Sequence, residues 1–238
     1  MPRTLQDTDY AALKFCVLLV LIFALQSLTP FDPGYQAGES PSINFLLSFL
    51  GHSSGEHLLN NLFFIGVFGT IYEIMTSRET FIYTFLVSAV FANLTAFIFY
   101  TDSYIIGASG GAMGVMAALA VYKPRKIGLA LGVPVPMYVV LAIYIMINLA
   151  GLGVATGTAY EAHLFGLFTG SLIGLWLRDQ EEPVKKERVG PGKKKRRKEL
   201  EDRGVEKARD EKEKELDDDL FENWDERIRA WERKYMMN

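Results

Sequence analysis

Apolar residues in this chain fall in long runs with few polar interruptions. They show neither the alternation of a half-buried strand nor the one-sided stripe of a soluble helix. Six runs stand out, at 13–29, 57–74, 80–100, 108–122, 133–150 and 162–177. A helix crossing the hydrocarbon core of a bilayer needs ~20 such residues, so the pattern predicts six membrane-spanning helices. The apolar stretch 43–51 is too short to span and reads as an interfacial or re-entrant piece of a long first loop. The first run has Asp7 and Asp9 beside Arg3 before it and ends in Gln26-Ser27-Leu28-Thr29-Pro30. It lacks the basic lead and small-residue cleavage site of a signal peptide and is read as a retained span.

Charge divides the chain in two. Residues 1–177 carry 6 Lys/Arg and 9 Asp/Glu, whereas 178–238 carry 19 of each. The expectation is an all-α, six-span membrane domain over 1–177 and a charged, partly helical cytoplasmic tail over 178–238. The tail begins with a Pro/Gly-containing linker at 178–192, followed by a basic hexamer at 193–198. Leu220, Phe221, Trp224, Ile228, Trp231 and Tyr235 then recur at helical spacing, which predicts an amphipathic helix over about 217–236. Anionic lipid or a cytoplasmic partner is the expected contact for this tail, with a solvated stop-transfer flank as the competing reading of the hexamer. No nucleic-acid partner is expected for a basic segment tethered to a membrane. One cysteine, Cys16, rules out an intrachain disulfide and a CxxC site.

The loops orient the bundle. Loops 30–56, 101–107 and 151–161 contain no Lys or Arg, and all 25 positive charges fall on the other side of a six-span arrangement. The positive-inside rule then places both termini in the cytoplasm. Spans two, four and six run from outside to inside, so polar residues at their starts share a depth near the outer face. Those residues are His57, Ser109 and His163. Span four, 108–122, has 15 residues and is about 22 Å long, shorter than a hydrocarbon core of ~30 Å. Lys123, Arg125 and Lys126 hold its inner end at the surface, which leaves Ser109 submerged and dependent on a water-filled cavity.

Polar groups at such depth are functional candidates. Ser109 stands between glycines in Gly107-Ala108-Ser109-Gly110, where a helix N-terminus favours developing negative charge. An N-capping serine on a packing helix is the competing reading. His163 is a candidate base for Ser109 or, alternatively, a polar interhelical contact. Gly110 and Gly114 on span four, and Gly166 and Gly170 on span six, have the spacing that lets helices approach closely. His57 and Asn61, four apart, share a helix face and can donate hydrogen bonds to an oxyanion or simply hold helices together. His52 lies off that face and is given a structural role. Glu161 and Asp102 are the remaining ionisable groups near these helix starts, and a dyad without a carboxylate is the favoured reading. No metal-binding pattern is present, and neither a metal nor a cofactor is expected.

Together, His57 with Asn61, the Gly107 to Gly110 segment with Gly114, and His163 with Gly166 and Gly170 resemble the rhomboid family of intramembrane serine proteases. The resemblance spans roughly residues 10–177. It implies a Ser109/His163 dyad and an oxyanion site formed by His57, Asn61 and the Ser109 backbone N–H. It further implies transmembrane protein substrates that enter past span five, beneath a mobile loop near 151–160. The family often has an aromatic residue stacked on the histidine four places after the serine. Met113 stands there in this chain and is the expected histidine contact. The first loop lacks the Trp-Arg pair of many members.

The leading expectation is a multi-pass cell-membrane serine endopeptidase, with its active site open to the outer face. A rhomboid-like pseudoprotease that escorts membrane clients is the alternative, and it predicts loss of the dyad. A small transporter predicts midplane polar groups and internal repeats, and neither is found.

Overall fold

The computed structural model describes residues 8–38, 42–100, 103–154 and 157–188. The expected hexamer 193–198, the expected tail helix 217–236 and Asp102 lie outside the described residues. The chain divides into two units, Met1–Gln180 and Glu181–Asn238, and the architecture below belongs to the first.

The described residues are mostly helical. The helices are α1 (Ala11–Leu28), the short α2 (Ile43–Leu47), α3 (Gly55–Phe64), α4 (Thr70–Met75), α5 (Arg78–Phe99), α6 (Ser109–Tyr122), α7 (Met137–Ala150) and α8 (Tyr160–Arg188). Among these, Ala11–Leu28, Gly55–Met75 and Arg78–Phe99 are long and apolar enough to cross a membrane, and α6 and α7 are shorter apolar helices. Two caps follow directly from sequence. Ser54 accepts from the His57 N–H at the start of α3, and Ser77 accepts from the Thr80 N–H at the start of α5. Each satisfies a donor that the helix itself cannot.

α6 is the centre of the bundle. Residues Gly110 through Ala120 are all buried, as befits a helix that is apolar on every side. Its neighbours reach it through small residues. α5 lays Ser88 against Gly114 and Ala92 against Gly110. α8 approaches from another side, where a Cβ on Gly166 would meet the Gly110 carbonyl and one on Gly170 the Gly114 carbonyl. In lipid there is little hydrophobic gain from joining two helices, so such contacts depend on close backbone packing. Exposed Leu21, Ile98 and Trp176 lie on the outside of the bundle.

Polar contacts tie the helices at both ends. Glu73, fully buried in α4, caps α1: its oxygens accept from Ala11 N–H at 2.9 Å and Ala12 N–H at 3.0 Å. An anion belongs at that end of a helix dipole. Tyr72 and Thr84 share a hydrogen bond of 3.0 Å between α4 and α5. In the first loop, α2 continues into a 3-10 turn at Ser48–Leu50, so the apolar stretch there is a short non-spanning piece. Asn93 of α5 holds it, donating to Ser48 Oγ at 2.8 Å and to the Phe45 carbonyl at 2.7 Å. The strand β1 (Tyr35–Gln36) pairs antiparallel with β2 (Tyr104–Ile105), which leads into α6.

Three features depart from the sequence expectation. Residues 133–136 are not helix. They form β4 (Val133–Pro136), paired with β3 (Ile127–Ala130) in a hairpin, and α7 begins only at Met137. Pro134 and Pro136 explain this, since each forces its predecessor toward extended backbone and removes a helical donor. The expected linker at 178–192 is helical as far as Arg188, because α8 continues through Pro183. Glu, Lys and Arg are good helix formers, and Pro183 is accommodated with the loss of one backbone donor. Finally, α3 and α4 are joined by a π-helical segment, Ile65–Gly69, so the second long helix is continuous but locally widened.

Candidate active site

Ser109 is the first residue of α6. Ala108 precedes it, and its methyl side chain offers no cap to the N–H groups of that first turn. Its hydroxyl turns to α8, where Ser109 Oγ lies 2.7 Å from His163 Nε2. The glycine contacts between α6 and α8 are what permit this distance: any larger residue at 166 or 170 would separate the helices. The other imidazole nitrogen, Nδ1, lies 3.0 Å from Asn148 Oδ1 on α7.

The pair opens onto a cavity of about 520 Å³ that His57, Asn61, Met113 and Asn148 also line. The cavity leaves room for a second molecule beside the Ser109 hydroxyl. Three helix ends, α3, α6 and α8, therefore bring their polar residues to one place.

His57 and Asn61 face that cavity from one turn of α3. Asn61 is 3% exposed, and its Nδ2 donates to the His57 carbonyl at 2.9 Å, which leaves a second amide hydrogen. His57 Nδ1 lies 3.1 Å from Ser53 Oγ, so its Nε2 is the edge left for the cavity. That edge sits against Gly107, where φ is +129° and a Cβ would come within 2.6 Å of His57 Nε2. Glycine at 107 thus serves two needs at once: the positive φ and the imidazole beside it.

His52 packs edge-on to His57 with ring centroids 5.1 Å apart. It is 3% exposed, and its ring nitrogens have no hydrogen-bond partner among the described residues. Burial and the neighbouring His57 push its pKa down to about 4, so it is neutral near pH 7. It does not line the cavity and stands behind His57 as packing.

Met113 and His163 line the same cavity, and the Tyr160 ring, one turn before His163 on α8, stands edge-on to the imidazole with centroids 6.5 Å apart at 79°. Glu161 accepts a hydrogen bond from the Tyr100 hydroxyl, while His163 Nδ1 is taken by Asn148. Asn148 and Ser53 are the residues that motif reading missed. A signal existed for Asn148: it is the one amide in the apolar run of α7, and polar residues in spans are functional candidates. Ser53 carried no comparable signal. Among the described residues no group of His, Cys, Asp and Glu is suited to a metal ion.

Fold and site together describe a helical membrane protein with polar residues gathered at the helix starts. The Rhomboid domain matches residues 41–180, more than half of the chain. The chain belongs to the rhomboid family. No curated protein matches the sequence.

Proposed function

We propose that this protein is an intramembrane serine endopeptidase that cleaves transmembrane segments near the outer membrane face. The observation that carries this reading is the 2.7 Å approach of Ser109 Oγ to His163 Nε2 beside a cavity of about 520 Å³, in a chain of the rhomboid family. Six spans, with both termini in the cytoplasm and the cavity open outward, are part of the same proposal. So is a division into a catalytic domain at 1–177 and a tail at 178–238.

The steps follow from the placed groups. Ser109 Oγ attacks the scissile carbonyl as its proton passes to His163 Nε2. The carbonyl becomes an oxyanion, held by His57, Asn61 and the Ser109 backbone N–H. Collapse breaks the C–N bond, and the His163 proton leaves on the amine. Water then attacks the acyl ester, gives its proton to His163 and releases the new carboxyl end, and the proton returns to Ser109. A helical substrate has its carbonyls hydrogen-bonded internally and must unwind near the cut. Residues of low helix propensity there assist cleavage.

The test uses purified protein and a model transmembrane substrate in detergent. Ser109→Ala and His163→Ala each abolish cleavage while the protein accumulates normally, and wild type alone reacts with a fluorophosphonate at Ser109. Cleavage near the wild-type rate in either variant rejects the dyad. A well-folded wild type that binds membrane segments but neither cuts nor reacts is instead the non-catalytic escort. Retention of both Ser109 and His163 favours the enzyme.

A further inference from the structure

We propose that Asn148 holds His163 in the tautomer and orientation of a general base, so that the site works as a Ser109–His163–Asn148 triad. The inference rests on the reading of Ser109 and His163 as nucleophile and base.

A neutral imidazole carries one N–H and one bare nitrogen, and a base for Ser109 needs the bare nitrogen at Nε2. The partner of Nδ1 decides which tautomer is present. That partner is Asn148 Oδ1, at 3.0 Å. An asparagine can offer either its oxygen or its NH₂, with opposite results. The oxygen keeps the proton on Nδ1 and frees Nε2. The NH₂ would drive the proton to Nε2 and leave nothing to accept from serine. In the soluble serine proteases, an amide in place of the aspartate imposes the wrong tautomer and costs ~10⁴ in turnover.

Here the amide has one orientation. Asn148 Nδ2 donates to the Tyr144 carbonyl at 2.7 Å, one helical turn back on α7. A carbonyl can only accept, so it takes the NH₂ and turns Oδ1 toward His163. Asn148 is 2% exposed, so water offers little competition. When His163 takes the serine proton, Oδ1 still accepts from Nδ1–H and stabilises the imidazolium. A neutral amide does this without burying a second charge. Glu161, the carboxylate nearest in sequence, is bonded to Tyr100 instead.

Asn148→Ala and the isosteric Asn148→Asp test this through the pH dependence of cleavage by full-length protein. Asn148→Ala lowers kcat by ~10²-fold with KM within about threefold. Its acidic limb moves to lower pH, because the imidazolium has lost an acceptor. Asn148→Asp retains more activity, and its acidic limb moves to higher pH, because a carboxylate stabilises the imidazolium. Wild-type rates and pH profiles in both variants, with Ser109→Ala inactive in the same assay, overturn the triad and leave the Ser109–His163 reading standing. An active Ser109→Ala rejects that underlying reading instead. A folded Asn148→Asp that loses activity with no movement of the acidic limb also overturns the proposal, since it marks a packing role only. If Asn148→Ala fails to fold, Asn148→Asp carries the test alone.

Discussion

His57 and Asn61 sit about 40° apart around α3, given 3.6 residues per turn, and both line the cavity at Ser109. The Ser109–His163 hydrogen bond is made without either of them, so their proposed task begins when an oxyanion forms. A donor that acts on the transition state changes turnover and leaves substrate binding nearly alone. Loss of one such donor typically costs ~10²–10³. His57→Ala and Asn61→Ala are therefore expected to depress kcat by one to three decades, as estimated from that range, with KM within a few-fold. Steady-state kinetics on a transmembrane substrate checks this. Wild-type turnover in both variants would leave the oxyanion to backbone donors alone. Ser53 bears on the same step: its hydroxyl lies 3.1 Å from His57 Nδ1, so the tautomer of His57 and the proton on Nε2 depend on which of the two groups donates. Spacing made His57, Asn61, Ser109 and His163 legible in the sequence, because each lies at or near a helix start. Ser53 and Asn148 were not legible as partners, since each acts through a neighbour far away in chain or on another turn.

The elements meet through glycine, and the contacts differ enough to be told apart by substitution. A Cβ at Gly170 would overlap the Gly114 carbonyl, whereas Gly55, at the start of α3, has open space around it. Backbone cannot yield as a flexible side chain can, so a branched residue at 170 must push α8 from α6. Gly170→Val is expected to lower the thermal midpoint in detergent and to abolish cleavage, because it lengthens the Ser109–His163 approach. Gly55→Ala is expected to be neutral or stabilising, by up to ~1 kcal/mol from helix propensity. Thermal unfolding of the two variants side by side decides the matter. Equal stability would mean that α6 and α8 do not rely on this contact. The glycine spacing was visible in sequence, and so was the non-spanning character of the stretch at 43–51. The hairpin at 127–136 was not, because Val133 and Val135 read as the start of an apolar run and only the alternating prolines argued otherwise. The π-helical segment at Ile65–Gly69 carried no local sign, since it reflects how the second long helix fits around its neighbours.

For the whole molecule the proposed orientation rests on charge. The loops 30–56, 101–107 and 151–161 lack Lys and Arg, while Arg125 and Lys126 lie between α6 and the hairpin. In a Cys16→Ser background, Ser42→Cys and Thr158→Cys are expected to react with an impermeant thiol reagent added outside intact cells. Arg125→Cys is expected to react only after permeabilisation. External labelling of Arg125→Cys would invert the proposed topology and, with it, the outer placement of the cavity. Sequence by itself determined that this chain is built of apolar helices, because hydrocarbon leaves backbone groups no partners but each other. It also determined which faces could approach, because only small residues allow it. Tertiary structure alone decided that Asn148 of α7 lies at His163. Helix formation is local and is written in runs of residues. The partner of a buried polar atom is chosen across helices, by packing that no single segment specifies.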